Sequence, residues 1–268
     1  MDQKKYREYP IPPVLAPFIK SIWSLESDCP IRGEPRERIL PDGCIELVFH
    51  FHQPFCTHFA NGEAVVQPLS FVVGQMNQFI EISPRGRIGF IAVRFHAHGA
   101  YRFLPGSLKA VATEVVDAVH VWKHWITEWA ERIALASTMR SRVTIVEQML
   151  LASLERSRPQ DIVVDRCLEL IQNHAGELRV ARLACEIGAS TRQLNRRFEN
   201  AIGISPKEFS RITRFVYALR QLRGSGCQTL TDIAVASGYF DQAHFNHEFR
   251  VFAGKTPGEL LTDPNIAF

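Results

Sequence analysis

One helical unit occurs twice in the C-terminal part of this 268-residue chain. At a displacement of 51 residues the matching pairs are Leu194 with Phe245, Phe198 with Phe249, Gly203 with Gly254 and Pro206 with Pro257. Further upstream the displacement is 50, because Ala184-x-x-x-Gly188 matches Ala234-x-x-x-Gly238. The second copy therefore carries one inserted residue in its turn. A repeat of this kind indicates one supersecondary unit that is built twice.

Each copy contains the parts of a helix-turn-helix. A short helix, predicted over residues 180–187 and 230–237, carries a small alanine that lets a second helix cross closely, and a glycine then makes the turn. The second helix begins at Ser190 or Asp241, whose side-chain oxygen can accept from free backbone N–H groups. Apolar residues spaced by four anchor one face of this helix. The opposite face is therefore available to a partner.

Polar side chains that can donate or accept hydrogen bonds occupy this opposite face. They are Arg192, Gln193, Asn195 and Arg196 in the first copy, and Gln242, His244, Asn246 and His247 in the second. A single Arg or Asn on a helix is ordinarily a solvated surface residue. Here, however, residues 179–223 contain ten Lys or Arg and three Asp or Glu, a local net charge of +7. Because base pairs present distinguishable edges in the major groove, the pattern favours binding to double-stranded DNA.

At these residues the sequence resembles the AraC/XylS family of transcription regulators. The first unit carries the resemblance in Leu183-Ala184-x-x-x-Gly188-x-Ser190-x-Arg192-x-Leu194-x-Arg196-x-Phe198, followed by Gly203-Ile204-Ser205-Pro206. The second carries it in Ile233-Ala234-x-x-x-Gly238-Tyr239-x-Asp241-Gln242-x-His244-Phe245-x-x-x-Phe249 and Gly254-Lys255-Thr256-Pro257. These motifs cover about residues 161–261. The resemblance implies that a helix over about 206–223 holds both DNA-reading helices on one side of the duplex, in successive major grooves.

The resemblance also assigns roles to individual residues. It implies base-reading roles for Arg192, Asn195, Arg196, Gln242, Asn246 and His247, and backbone contacts for Ser190, Gln193 and His244. His247 departs from the family pattern, which often has arginine there. A histidine offers fewer donors and less charge than a guanidinium, so we expect the second unit to bind more weakly than the first.

The N-terminal half has a different pattern. Short β-branched and aromatic runs at residues 45–51, 69–74 and 88–95, separated by turn signals, predict an antiparallel β barrel or sandwich. Helical segments follow near residues 115–136 and 139–155. The fold class is therefore α+β, with a mainly antiparallel β domain and trailing helices followed by an all-α domain of two helix-turn-helix units joined by a linker helix.

A polar stretch at residues 155–160, which contains Pro159, separates the two patterns. Because proline ends a helix that runs into it, we place the boundary there, with domains at 1–157 and 161–268. Leu40-Pro41-Asp42-Gly43-Cys44-Ile45-Glu46-Leu47 resembles the sensor-like domains that precede the DNA-binding part in many relatives. The resemblance implies that residues 1–157 bind a small-molecule effector or a second copy of the chain.

A metal site is the alternative for the N-terminal half. His50, His52 and His58 lie close together in sequence, and residues two apart on a strand point the same way. Such histidines could bind a metal in a cupin-like sensor or enzyme fused to the DNA-binding module. No carboxylate completes a clear ligand set, so no metal or other cofactor is expected. The pair Asp42 and Glu46 could be an acid/base couple, but a Pro-Asp-Gly turn explains Asp42.

Other signals narrow the class of protein. The chain has no G-x-S-x-G, Walker or H-E-x-x-H motif, so no enzyme activity is expected. Its six cysteines form no C-x-x-C pair and are expected to be free thiols. Without a signal sequence or an apolar span, we expect a cytoplasmic protein that does not bind membranes. Trp122, Trp125 and Trp129 have the spacing of a helix packing face. The resemblance adds RNA polymerase and a homodimer to the candidate partners.

Overall fold

The computed structural model describes residues 4–30, 36–59, 62–112, 115–224 and 229–262. The strands are β1 (Lys5–Tyr9), β2 (Ile19–Pro30), β3 (Glu37–Ile39), β4 (Ile45–His50), β5 (Cys56–His58), β6 (Ala64–Val66), β7 (Ser70–Val73), β8 (Ile80–Ser83), β9 (Arg87–Phe95) and β10 (Val115–Asp117). The helices are α1 (Ala100–Phe103), α2 (Ala118–Trp122), α3 (His124–Leu135), α4 (Met139–Glu155), α5 (Ile162–Asn173), α6 (Val180–Ile187), α7 (Thr191–Ile202), α8 (Pro206–Gly224), α9 (Leu230–Ala236), α10 (Gln242–Ala253) and α11 (Pro257–Leu261). A 3₁₀ turn lies at Leu108–Val111.

The described strands form two antiparallel sheets rather than one closed barrel, so of the two predicted architectures the sandwich is the compatible one. The larger sheet has the order β1-β2-β9-β4-β7-β10, and the smaller has the order β3-β8-β5-β6. Strand β4 explains the layering, because successive side chains point to opposite faces. Ile45, Leu47 and Phe49 pack against the helices α1–α4, whereas Val48 packs between the sheets. The larger sheet is therefore covered on both faces.

The helical segment predicted near residues 115–136 is interrupted in the structure. Val115–Asp117 extends the larger sheet by pairing with β7, as suits its two β-branched valines. The Asp117 side chain then caps α2 by accepting from the Val119 N–H at 2.9 Å. Lys123, at φ +56°, separates α2 from α3. The tryptophans consequently lie on two helices and not on one face: Trp122 on α2, with Trp125 and Trp129 on α3, all half-buried against the core.

The C-terminal half consists of α5–α11 around one apolar core. The predicted boundary lies in the segment between α4 and α5, where the Arg158 guanidinium donates to the carbonyls of Tyr101 and Leu104 at 2.7 and 3.2 Å. Leu40 and Ala97 from the N-terminal half belong to the same core. The division into domains at 1–157 and 161–268 stays a prediction.

Two glycines of the repeat lie where the halves meet. Gly203 ends α7 and Gly254 ends α10, each in the left-handed conformation that favours glycine. A Cβ at Gly203 would lie 3.0 Å from the Leu108 carbonyl oxygen, and one at Gly254 would lie 2.5 Å from the Phe79 ring. The C-terminal ends of α7 and α10, the two helices predicted to read DNA, thus contact the N-terminal half. A larger side chain at either glycine would disturb that contact.

Two polar contacts reinforce these junctions. Lys109 pairs with Glu199 of α7 at 2.8 Å. Arg38 lies over the Phe79 ring and donates to the Ala253 carbonyl, the last of α10, at 2.9 Å. The C-terminal ends of α7 and α10 are therefore both held by the N-terminal half.

Cys29, Cys44, Cys56, Cys167 and Cys185 are free thiols, as predicted, and Cys227 lies outside the described residues. Among the described helices, none is long and apolar enough to cross a membrane.

Candidate nucleic-acid interface

The first helix-turn-helix unit has the predicted construction. Helix α6 ends at Gly188, which has φ +73°, and buries Leu183 and Ala184. Ser190 caps α7 in a capping box: its hydroxyl accepts from the Gln193 N–H at 3.2 Å, while the Gln193 side-chain oxygen accepts from Ser190. Because these contacts occupy Ser190 and part of Gln193, both residues hold the helix end in the unbound protein.

The outer face of α7 is cationic. Leu194 and Phe198 are fully buried on its inner face, so the turn spacing of a helix directs Arg192 and Arg196 outward. Both arginines are exposed, and Asn195 beside them is half-buried. Within the described part of the chain, no hydrogen bond or ion pair engages these three side chains. Their donors are available to a ligand.

Arg197 differs from its neighbour Arg196, although the two adjoin in sequence. Its guanidinium makes a forked ion pair with Asp161, the residue that caps α5, at 2.8 and 2.9 Å. This pairing lowers the pKa of Asp161 despite the opposing effect of burial. Arg197 therefore ties α7 to α5.

The second unit repeats this construction with a longer turn. Helix α9 ends at Ala236, one residue earlier than predicted, and the Asp241 side chain caps α10 by accepting from the His244 N–H at 2.7 Å. Phe245 and Phe249 are fully buried beneath α10. The caps and anchors predicted from the repeat are confirmed in both units.

The outer face of α10 is less cationic than that of α7. Gln242 and His247 are exposed and Asn246 is half-buried. The Thr231 hydroxyl donates to the Gln242 side-chain oxygen at 3.3 Å, which leaves the amide N–H groups of Gln242 available. His244 is directed inward: its ring lies edge-on to Tyr239 and its Nδ1 accepts from the Phe240 N–H at 3.4 Å. In this conformation His244 holds the turn.

Helix α8 joins the two units, as predicted. Arg211 donates to both carboxylate oxygens of Glu248 on α10, at 2.8 and 3.0 Å, and the Glu248 side chain is only 7% exposed. Arg214 donates to the carbonyls of Gly176 and Gly238 at 3.1 and 3.3 Å, and so contacts both units. Phe215 packs its ring against Phe249 with a centroid distance of 4.8 Å. These contacts define how α10 sits on α8.

A cavity of about 740 Å³ lies in the N-terminal half, and helix α8 forms part of its wall. The side chains of α8 that line it are Val216, Leu219, Arg220 and Arg223. Most other lining residues are apolar side chains of the two sheets, among them Trp23, Leu25, Val48, Phe55, Phe71 and Phe90. The helix that joins the two helix-turn-helix units is therefore also a wall of this cavity.

Charged groups cluster at one part of this cavity wall. Arg94 donates to Glu46 at 2.7 Å and lies 3.5 Å from Asp42. The Trp23 indole N–H also donates to Glu46, at 3.1 Å. Burial raises the pKa of Glu46, and the charge of Arg94 opposes this effect. Asp42 accepts from the Cys44 N–H at 2.9 Å, which confirms the turn role predicted for it.

The three candidate metal ligands do not form a cluster. The His50 Nε2 hydrogen-bonds Gln67 at 3.1 Å, and burial lowers the pKa of His50 to about 4. The His58 Nε2 hydrogen-bonds Ser83 at 2.8 Å, and the His52 ring packs edge-on against Phe51. The described residues contain no group of three or more His, Cys, Asp or Glu placed to hold a metal.

Sequence reasoning missed three features of these sites. It treated α8 only as a connector, although Val216 and Leu219 on its cavity side gave an apolar signal. It did not pair Arg211 with Glu248, because nothing in the local sequence links positions 37 residues apart. It also passed over Phe240, which is 90% exposed.

Both halves of the chain match known domain families. Residues 183–263 match a helix-turn-helix domain family, and residues 7–117 match a domain family of unknown function, DUF6597. The chain is 25% identical over 256 residues to the HTH-type transcriptional activator RhaS of Escherichia fergusonii, across 85% of this chain and 90% of RhaS. Among solved structures, the C-terminal domain of AraT, a response regulator from Geobacillus stearothermophilus, aligns at 25% identity and TM-score 0.36, over 37% of this chain and 83% of that domain. ToxT from Vibrio cholerae aligns at 11% identity and TM-score 0.47, over 90% of this chain and 98% of ToxT.

Two capped helix-turn-helix units, together with the match to a helix-turn-helix family, define a DNA-binding transcription regulator. The motifs of both units, the family match and the similarity to RhaS support an AraC family regulator.

Proposed function

We propose that residues 161–268 bind specific sequences in double-stranded DNA through the outer faces of α7 and α10. The observation that carries this proposal is the division of each helix into a buried apolar face and an outer polar face, together with the net charge of +7 over residues 179–223, which include α7. On α7 the two exposed arginines have no competing partner within the described chain. Such groups are well suited to guanine, whose O6 and N7 accept the two donors of an arginine fork.

The individual contacts follow from the same chemistry. Arg192, Asn195 and Arg196 read bases from α7, and Gln242, Asn246 and His247 read bases from α10. Asn and Gln side chains suit adenine, whose N6 and N7 supply one donor and one acceptor. Ser190, Gln193 and His244 lie at the N-terminal ends of the two helices, where backbone N–H groups attract phosphate, so they are assigned to the DNA backbone.

Replacement of Arg196 by alanine tests this assignment. We expect Arg196→Ala to weaken binding to the preferred duplex by about 1–3 kcal/mol, and to relax the base preference at one or two positions. The loss follows from removal of a bidentate base contact. Binding of the purified full-length variant to duplexes selected from random DNA, measured by fluorescence anisotropy, gives both quantities.

Arg166→Ala is the matched control, because Arg166 is an exposed arginine on α5 that pairs with Glu169 rather than facing outward from α7. We expect it to leave the base preference unchanged. If Arg196→Ala weakened all duplexes equally, Arg196 would be a phosphate contact. If the wild-type protein preferred no DNA sequence, the proposed function itself would be wrong.

The N-terminal half, in this proposal, binds a small-molecule effector in the cavity against α8. A volume of about 740 Å³ lies in the range of small-molecule sites, and the mainly apolar lining with a few charged groups is typical of them. A ligand there would contact α8, which holds α10 through Arg211 and Glu248. Effector occupancy would therefore bias the position of the second DNA-reading helix.

Filling the cavity tests this part of the proposal. Val73 is half-buried and lines the cavity, so Val73→Phe should place a ring in the ligand space. A compound that binds the cavity, present at a concentration of about 100 times its Kd, should stabilise the wild-type protein by about 2.7 kcal/mol and raise the protein's melting temperature. We expect Val73→Phe to abolish that shift in a screen by differential scanning fluorimetry. Val65→Phe, at an exposed site outside the cavity, should retain it.

A compound that stabilised Val73→Phe as strongly as wild type would bind elsewhere, and this assignment of the cavity would fail. Contacts with RNA polymerase and a homodimer stay predictions from the family resemblance. The metal-binding alternative has no observation in its favour among the described residues.

A further inference from the structure

The residue inserted into the second turn is exposed and aromatic. The Ala189 N–H donates to the Ala184 carbonyl at 3.0 Å, and the Tyr239 N–H donates to the Ala234 carbonyl at the same distance. Tyr239 is therefore the structural counterpart of Ala189. In the first unit the capping serine follows directly, whereas in the second Phe240 comes before Asp241. Phe240 is the extra residue of the repeat.

Hydrogen bonds hold the backbone around Phe240, whereas its side chain lies in solvent. The Phe240 N–H donates to His244, and Asp241 caps the next residues of α10. Tyr239 on the other side is buried, with 4% of its surface exposed. Phe240, by contrast, is 90% exposed, the highest value among the exposed large apolar side chains of the described residues. The fold therefore presents this ring to solvent at a fixed position.

The residues around Phe240 indicate which chemical group its ring contacts. It precedes α10 at the helix end from which helix-turn-helix proteins contact base edges. The neighbouring outer positions hold two amides, a small apolar residue and a histidine, Gln242, Asn246, Ala243 and His247, and no arginine. Amides suit adenine, and apolar side chains suit the 5-methyl group of thymine, the one apolar group on a base edge in the major groove.

We infer that Phe240 contacts a thymine 5-methyl group in the half-site bound by the second unit, and is a specificity-determining residue of this protein. The inference rests on the proposed DNA-binding function. The two units then differ in base preference: the first has two arginines suited to guanine beside Asn195, and the second has two amides and Phe240 suited to A·T pairs beside His247. The apolar contact supplies discrimination where the second unit lacks the arginine fork.

Deoxyuridine substitution tests the contact directly, because it removes only the 5-methyl group of thymine. The probe is the tightest-binding duplex selected from random DNA by the full-length protein, with each thymine replaced in turn. Wild type should lose about fourfold in affinity at one thymine of the second half-site, as expected for one buried methyl group. Phe240→Ser should bind the unmodified duplex about equally weakly, and should show no further loss at that position.

Two further variants make the result decisive. Leu135→Ser removes another exposed apolar side chain, 85% exposed at the end of α3, and should retain the full deoxyuridine effect. Phe240→Leu should keep part of it. If Phe240→Ser responded to deoxyuridine as strongly as wild type, or if no thymine in that half-site mattered, Phe240 would not contact a methyl group and the inference would be overturned.

These outcomes are separate from failure of the proposed function. A protein that selects a duplex and loses base preference in Arg196→Ala, yet ignores deoxyuridine, contradicts only the role of Phe240. A protein that selects no duplex contradicts the proposed function. A defect of Phe240→Ser that appears only when RNA polymerase is added would assign the ring to a protein partner and would also overturn the inference.

Discussion

DNA binding by the full-length protein should weaken about a thousandfold when salt is raised from about 50 to about 200 mM. Each phosphate that a Lys or Arg neutralises releases condensed counterions, so affinity falls as a power of the salt concentration. Two helix-turn-helix units, with a local net charge of +7 over the first unit and the linker helix (residues 179–223), are consistent with about six such contacts. The slope of log affinity against log salt, from anisotropy titrations on one selected duplex, measures this number.

Charge-matched variants show which residues contribute to the slope. Arg179→Gln removes an exposed charge at the N-terminal end of α6, outside the base-reading set, and should reduce the slope by about one. Arg140→Gln removes an exposed charge from α4 in the N-terminal half and should leave it unchanged. A flat salt response of the wild-type protein, or equal slopes for all three proteins, would be incompatible with the proposed interface.

Loss of Arg211 should destabilise the C-terminal half by about 3 kcal/mol. Glu248 is almost fully buried between α8 and α10, and both of its oxygens accept from Arg211. The substitution Arg211→Met keeps most of the apolar stem but leaves a buried carboxylate without its partner, which is costly. Urea unfolding monitored by circular dichroism gives the free energy of unfolding. The same variant should bind DNA more weakly, because α10 loses its anchor on α8.

The double variant Arg211→Met/Glu248→Met separates the ion pair from packing. Replacing both charges with apolar groups of similar length should recover most of the lost stability, since a buried pair is often no better than a well-packed apolar one. If the single variant were as stable as wild type, the pair would not hold α10. If the double variant were less stable than the single one, poor packing around the two methionines would outweigh the gain from removing the unpaired carboxylate.

The helical C-terminal half was largely predictable because its signals are local. Ser190, Asp241 and the glycines Gly188 and Gly238 act within a few residues of their own positions, through caps and left-handed turns. The β half was less predictable for a corresponding reason. Val115–Asp117 has residues that fit either a helix or a strand, and only its pairing with β7 decides for the strand.

The sequence by itself determined the two helix-turn-helix units, their caps and their buried anchors, because repeated spacing and capping chemistry depend on neighbours along the chain. It also predicted that Leu194 and Phe198 lie on the buried face of α7 and that the polar residues lie on its outer face. Tertiary structure alone decided that Arg197 pairs with Asp161 while Arg196 faces outward, that Arg211 meets Glu248, and that α8 lines a cavity of the N-terminal half. These features depend on contacts between residues far apart in the chain, and such contacts exist only once the elements have packed together.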